Sequence, residues 1–477
     1  MHALLTDYYE FSMADSYLQL GRAEEIAHFD YFFRRVPDQG GYAIFAGLEQ
    51  VLDYLQELRF GPAELDFLRA RGSFSPQFLD YLADFRFRGE VWAVDEGSVV
   101  FPNEPLLSLR APLLECQLVE TFLLLSLNHQ SRIATKASRL VQAARGRAVF
   151  EFGARRAHGA DSANYGARAA YLAGVAASSN LEAERRFGVP AFGTMAHAYV
   201  QSFPSEYEAF LNYARTYPDG TFLLVDTYDT LRSGIPNAIR VHQEFLAPQG
   251  KSLKGIRIDS GDLAYLSQQA RQMLDAAGMP ETKISLSNAL DEFLIRDLLD
   301  QGAPADSFGV GENLITAKSD PVFGGVYKIV ALEKDGQVRP TIKISDNSHK
   351  TTTPAPKQVW RFYDAGGKAF ADVVSLRDEV IDPGQPYLLF DPDEPWKKKL
   401  ARQFSVKPLL KLQLANGQRC QPRPTLADLR AFCQREQATM WAETLRLNHP
   451  HKYIVDLSAA LWNLKQELIK QYSGAKS

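Results

Sequence analysis

The stretch EFGARRAHG, residues 151–159, closes a strand-like run with Gly153 and then sets Arg155 and Arg156 side by side. Guanidinium forks match phosphate or diphosphate oxygens; a solvated face or a structural ion pair is the other use of such a pair. SSN (178–180) and GTMAHAYVQSF (193–203) follow, with Gly193 and Thr194 in a loop and His197 just inside the next helix. Backbone N–H groups at a helix start attract anions. A neutral imidazole there can attack phosphorus, or it can simply be satisfied by a nearby carbonyl. In RIDSGDL (257–263), Arg257 and Asp259 alternate on a strand end and therefore share one face. Ser260, Gly261 and Asp262 make the turn, and either Ser260 or Asp262 can cap the helix beyond it. A carboxylate so placed could hold ribose hydroxyls, bind Mg2+, or stabilise the oxocarbenium-like state of displacement at an anomeric carbon.

Three further groups add to these. SFGVGENLITAK (307–318) ends a strand in glycines whose amides could cradle a phosphate; a tight strand-to-helix turn is the other reading of GxG. Ser287 and Asn288 close the run KISLS-N at 283–288. Asp226 and Asp229 in DTYDT are candidates for Mg2+ or for capping the helix that follows. The sequence has no HExxH pattern, no P-loop and no H-x-E that supports a tightly held metal, so no metal ligand set is assigned.

These groups all stand just after β-rich runs. The runs are AVFEF (148–152), VPAFG (189–193), TFLLVD (221–226), GIRID (255–259), KISLS (283–287), DSFGVG (306–311) and GVYKIVAL (325–332), with GVAASS (174–179) a weaker one. Helical patterns lie between them, as at 204–217, 262–277 and 290–301. Strands alternating with helices predict parallel strands with crossovers. Seven or eight such units predict a closed or nearly closed barrel, with a doubly wound open sheet as the alternative. Barrels of this kind carry their active sites at the C-terminal ends of the strands.

The flanking parts differ. Residues 1–130 hold two helical stretches (48–58 and 61–71), a hairpin-like region at 87–112, and the start of a long or broken helix over 114–144. We assign 1–130 as an N-terminal α/β domain, 131–335 as the α/β barrel, and 336–477 as a C-terminal α+β region packing on the N-terminal domain. That last region has turn-rich strands around 338–345, 358–364 and 369–376, then helices around 426–445 and 453–472.

Bulk properties narrow the function classes. A chain of 477 residues is too long for one ordinary core. Its net charge of -4 offers no global field for nucleic acid. Its apolar runs, such as 122–127, fall far short of the ~20 residues a membrane helix needs. The start of the chain lacks the basic and apolar pattern of a signal peptide. Cys116, Cys420 and Cys433 are sparse and odd in number, which fits a reducing, cytoplasmic setting.

In their order, these segments resemble the nicotinate phosphoribosyltransferase family. LLTDYYEFSMA resembles its TDxY opening, and HFDYFFRRVPDQGGYAIFAGLE its next block. EFGARRAHG, SSN, GTMAHAYVQSF, RIDSGDL, FGVGENLIT, GGVYKIV and GQRCQPRPTLADLR then follow, so the likeness spans nearly the whole chain.

The resemblance implies an N-terminal α/β domain, an irregular (β/α) barrel, and a homodimer with shared active sites. It implies that nicotinate, phosphoribosyl pyrophosphate (PRPP) and ATP give nicotinate mononucleotide, diphosphate, ADP and phosphate in NAD biosynthesis, with Mg2+ as cofactor. By the same resemblance His197 is the phosphohistidine and, with Asp259, catalytic. Tyr9, Thr194 and Arg257 line the nicotinate pocket, Tyr9 coming from the partner subunit. Arg155, Asp259, Ser287, Asn288, Gly311 and Glu312 face PRPP. Glu312 departs from the implied pattern of Thr or Gly, and a carboxylate aimed at phosphate would repel it; it either turns away or meets Mg2+. Nicotinamide or quinolinate as acceptor, and a non-catalytic metabolite-binding relative, are the alternative readings.

Overall fold

The computed structural model describes residues 3–345 and 350–473. The chain divides into two compact units, one of residues 133–321 and one of residues up to 132 together with those from 322 on.

The 133–321 unit is built on a six-stranded parallel sheet. Its strands are β1 (Ala148–Glu151), β2 (Ala177–Ser178), β3 (Phe222–Leu224), β4 (Gly255–Ile258), β5 (Lys283–Ser287) and β6 (Ser307–Val310). They are ordered β2-β1-β6-β5-β4-β3, with every pairing parallel. Each strand is short and apolar, as expected where both faces are covered. The helices are α1 (Ala160–Leu172), α2 (Leu181–Phe187), α3 (His197–Gln201), α4 (Glu206–Thr216), α5 (Ile235–Val241), α6 (Leu263–Ala276), α7 (Glu292–Asp300) and α8 (Glu312–Ile315).

Two of the expected strands need correction. The run at 189–193 is not a strand: Ala191 makes a single parallel bridge to Ser178. Pro190 has no N–H to give, so a ladder cannot propagate through it. The Phe192 ring nevertheless lies 4.6 Å from that of Phe150 on β1 and 6.2 Å, edge-on, from that of Phe222 on β3. The sheet therefore curls until an aromatic contact, not a hydrogen-bond ladder, joins its two edges. The run at 325–332 is a strand, Gly325–Lys334, but not a barrel strand: it lies antiparallel to Ile26–Phe33. Gly325 permits this approach, since a Cβ there would come 2.6 Å from the Tyr31 ring. An apolar run announces a strand without naming its partner.

The other unit holds a seven-stranded sheet. Gln337–Pro340, Gly325–Lys334, Ile26–Phe33, Leu107–Pro112, Glu90–Ala93, Lys411–Ala415 and Gln418–Arg419 follow one another across it, antiparallel throughout. N-terminal and C-terminal segments thus share one sheet. Its core takes in Phe11, Phe45, Leu52, Phe78, Leu109 and Tyr327 among many others. A four-stranded sheet lies beside it in sequence, with Lys357–Tyr363 and Ala369–Leu376 at its centre. The helical stretch expected at 453–472 begins instead as strand Ile454–Leu457 and becomes helix only at Ala459–Tyr472, where Ser458 caps it at Leu461 N, 3.2 Å. No helix among the described residues is long and apolar enough to cross a membrane.

Candidate active site

The strand ends of the 133–321 unit gather the charged and hydroxyl-bearing side chains. β4 supplies Arg257, whose Nη1 donates to Thr194 Oγ1 at 2.8 Å. Its Nε is buried with no hydrogen-bond partner among the described residues. Burial pulls this guanidinium below its usual pKa and Arg155 pulls the same way, while Asp259 and Asp226 oppose them. A cation held in this manner has a donor left over for an incoming anion. Arg155 stands in the short 3-10 turn Ala154–Arg156 after β1, exposed and with no carboxylate partner among the described residues.

Asp259, one residue past β4, is held on several sides. Its backbone N–H donates to Asp226 Oδ2 at 3.0 Å, and the Ser260 hydroxyl donates to the same oxygen at 2.6 Å. The Ser287 hydroxyl, at the end of β5, donates to Asp259 Oδ1. Asp259 Oδ2 lies 3.8 Å from Nε2 of His197, and the two side chains are 34% and 39% exposed, so a ligand can reach both. The other ring nitrogen of His197, Nδ1, sits 3.1 Å from Thr227 Oγ1. Asp226, Thr227, His197, Asp259 and Ser287 thus form one chain of contacts, and the Thr194–Arg257 pair stands beside it, with Arg257 coupled electrostatically to Asp259.

The backbone around this group takes uncommon conformations and packs closely. Asn288 and Ala289, just after β5, both have positive φ, 102° and 47°. Two such residues in succession are uncommon outside glycine, and strain of this kind clusters at functional turns. Gly153 is needed where it stands: a Cβ would come 2.7 Å from Gly311 O, so the loops after β1 and β6 touch. Behind them Glu151 is buried, its carboxylate taking the Gly153 N–H and the Ser178 hydroxyl (2.6 Å). Burial raises its pKa.

Several of the remaining candidates make local contacts. Asp229 caps the following helical turn through Leu231 N and Arg232 N, at 3.0 and 2.8 Å. Asp262, not Ser260, caps α6 through Tyr265 N, 3.0 Å. Asn180 caps α2 through Glu182 N, 3.0 Å. Glu312 turns to Lys318, 2.8 Å away, and this pairing lowers its pKa. Tyr9 belongs to the other unit, where burial and the neighbouring Glu120 push its phenol up to about 12. Thr227 escaped the sequence reading, because a threonine after a strand is ordinary turn chemistry.

A curled parallel sheet of this kind defines an α/β protein, and the cluster stands at the C-terminal strand ends where such folds usually carry their sites. The comparisons carry this further. Residues 4–128 match the nicotinate phosphoribosyltransferase (NAPRTase) N-terminal domain, 148–383 the nicotinate phosphoribosyltransferase (NAPRTase) family, and 356–465 the nicotinate phosphoribosyltransferase C-terminal domain. The chain is 43% identical to the nicotinate phosphoribosyltransferase of Bacillus subtilis, over 98% of this chain and 95% of that one. It is 45% identical to one from Mycobacterium tuberculosis over 81% of each chain. The crystal structure of human nicotinic acid phosphoribosyltransferase superposes with a TM-score of 0.87 at 32% identity, covering 97% of this chain and 99% of that one. The chain belongs to the nicotinate phosphoribosyltransferase family, whose name gives its reaction: transfer of a phosphoribosyl group to nicotinate.

Proposed function

We propose that this chain joins nicotinate to the phosphoribosyl group of PRPP at the strand-end cluster, with ATP consumed through a phosphohistidine at His197. The observation that carries the reading is Arg257, a partly buried cation fixed by Thr194 with Nε unpartnered. Nicotinate is a planar carboxylate, and a guanidinium fork is its natural counterpart. This favours nicotinate over nicotinamide, whose neutral amide gains less from a buried cation. The ring nitrogen of nicotinate attacks the anomeric carbon as the bond to diphosphate breaks, and it needs no general base. Asp259, steadied by Asp226 and Ser287, faces the positive charge that develops on the ribosyl carbon. Arg155 receives phosphate oxygens, and the turn at Ser287–Asn288 together with Gly311 offers backbone N–H groups to the rest of PRPP. Glu312 takes no part, being turned to Lys318.

No group of three or more His, Cys, Asp or Glu side chains able to hold a metal gathers among the described residues. Mg2+ typically takes one or two carboxylates and leaves the rest of its shell to phosphate and water. Asp226, whose Oδ1 is buried with no hydrogen-bond partner among the described residues, and Asp259 would hold it. There it would supply charge neutralisation for the leaving diphosphate. A homodimer in which Tyr9 enters from a second copy would complete the nicotinate pocket, and the three free cysteines suit a reducing cytoplasm.

The test is nicotinate mononucleotide formation with and without ATP, with nicotinamide and quinolinate as competing acceptors. His197→Ala is expected to make the rates with and without ATP equal. A variant still stimulated by ATP would remove His197 from the reaction, and absence of diphosphate release from nicotinate, PRPP, Mg2+ and ATP would favour a metabolite-binding protein without activity.

A further inference from the structure

The turn after β5 is anchored at both ends. Upstream, the Ser287 hydroxyl donates to Asp259 Oδ1. Downstream, Asp291 caps α7 through Phe293 N and Leu294 N, at 3.0 and 2.8 Å. Glu292, buried at the first position of that helix, lies 2.7 Å from Lys136 Nζ and 2.9 Å from Arg139 Nε. Between these anchors Asn288 and Ala289 are exposed and both left-handed, and Leu290 beyond them is buried. The Cβ of an alanine is crowded in that conformation, so it persists only where its surroundings over-determine it. Asn313 does so from another loop: its Nδ2 donates to Ala289 O at 2.8 Å and to Leu290 O at 3.1 Å.

Asn313 is in turn placed by the loop after β6. It is the second residue of α8, whose first turn closes on Gly311, the carbonyl accepting from Leu314 N and Ile315 N at 3.2 and 3.1 Å. Gly153 lets this turn approach the loop after β1, since a Cβ there would come 2.7 Å from both Gly311 O and Ile315 Cβ. Beyond α8, Ser319 accepts from Lys136 Nζ at 2.8 Å, so the ammonium that holds Glu292 also steadies the far end of this loop. The loops after β5 and β6 are therefore joined twice, through Lys136 and directly by Asn313.

We propose that Asn313 is a positioning residue for PRPP: its amide holds the left-handed turn at Asn288 and Ala289 in register with Gly311, so that one sugar phosphate meets both loops at once. This rests on the reading above that these two loops receive PRPP. A carbonyl oxygen repels phosphate, and Asn313 keeps two of them occupied on its own donor. Without it the turn is free to leave a conformation that alanine disfavours, and the gap between the two loops is no longer set. Arg257 and Thr194 hold each other on other loops, so the loss falls on PRPP binding and not on nicotinate.

The experiment has two arms on the full-length enzyme. Hydrogen exchange read by mass spectrometry, with and without PRPP and Mg2+, follows the peptide that covers residues 285–291. Slower exchange with PRPP is expected; no change would mean that the turn does not meet PRPP, and would overturn that reading and this proposal with it. Steady-state kinetics then compare Asn313→Ala, Asn313→Ser and Asn313→Asp. Alanine is expected to raise the KM for PRPP about five- to thirtyfold, as the loss of one or two hydrogen bonds would, with kcat and the KM for nicotinate within about twofold. Serine keeps one donor and falls between, deciding the case if the alanine variant does not fold. Aspartate has the same shape but only acceptors, and is expected to be impaired at least as much as alanine. A turn protected by PRPP in the native enzyme, with the KM for PRPP unchanged in the variants, would overturn the role of Asn313 alone. A KM for nicotinate that rises as far as that for PRPP would make the residue merely structural and overturn it too.

Discussion

Replacing Arg257 by alanine is expected to raise the KM for nicotinate about 10- to 150-fold, and the size follows from what the guanidinium does before any ligand arrives. One donor, Nη1, is already used on Thr194 Oγ1 at 2.8 Å, and Nε is buried with nothing among the described residues to accept it. Burial also disfavours the cation, an effect that Asp259 and Asp226 offset. A carboxylate arriving here gives Nε its missing acceptor and the charge its counter-ion. A hydrogen bond to a charged group contributes ~1.5–3 kcal/mol, which converts to the stated range at about 1.4 kcal/mol per factor of ten. Thr194→Val removes the hydrogen bond that steadies the guanidinium but leaves the charge and the donor that would meet nicotinate, so its effect on nicotinate is indirect and expected near fivefold, ~1 kcal/mol. Arg257→Lys keeps the charge without the fork and is expected between the two. The assay is initial rates of nicotinate mononucleotide formation at saturating PRPP with nicotinate varied, and the pair of sites can be closed into a double-mutant cycle. An Arg257→Ala protein that stays folded and keeps its nicotinate KM within about twofold would refute the reasoning; a change confined to the KM for PRPP would move Arg257 to the other substrate.

Three other outcomes are expected. Gly234→Ala should lower stability by ~2 kcal/mol or more in chemical denaturation, since its Cβ would meet Val225 O at 1.8 Å and backbone must give way; an unchanged midpoint would show that the turn under Thr227 is loose. Glu312→Gln should leave both stability and the KM for PRPP nearly unchanged, because the carboxylate is spent on an exposed pair with Lys318, whereas a tenfold drop in that KM would mean it faces phosphate. Glu10, buried among Thr6 and Thr121, has its pKa raised by burial from 4.5 to about 7. In that window the folded chain keeps a proton that the unfolded chain has released, so stability falls as pH rises through it. Glu10→Gln removes this titration, so the melting temperature of the variant relative to the native protein should climb between about pH 5 and pH 8, and a flat difference would contradict the shift.

How far the sequence could be read depended on whether a signal was local. KISLS at 283–287 became β5 at the same bounds, and the helix expected at 262–277 became Leu263–Ala276 with Asp262 as its cap. Both follow from periodicity and capping chemistry within one window. The run at 189–193 misled because its apolar residues outvoted Pro190, although the proline is what stops the ladder. The run at 325–332 misled differently: its residues do form a strand, but its partner, Ile26–Phe33, lies some three hundred positions back along the chain. No window of neighbouring residues contains that choice.

The same distinction applies to the cluster. Residue type and spacing placed Arg257 and Asp259 on one strand face, and His197 at a helix start, before any coordinates. What they could not supply is the joining of these pieces, because each join is made by a group with an innocuous local reading. Asp226 could have been a helix cap, Ser287 the polar end of a strand, Thr227 a turn residue and Thr194 a loop hydroxyl. In the folded unit each instead connects two loops: Asp226 to Asp259 and Ser260, Ser287 to Asp259, Thr227 to His197, Thr194 to Arg257. Asp259 stands between Ser287 and His197, so moving any one of these loops shifts the carboxylate that faces the imidazole. A site assembled this way ties the ring at 197 to the turn that would hold PRPP, through atoms already within contact distance. A change of charge on the ring at 197 would therefore be felt first at Asp259 and, through Ser287, at the turn of Asn288 and Ala289.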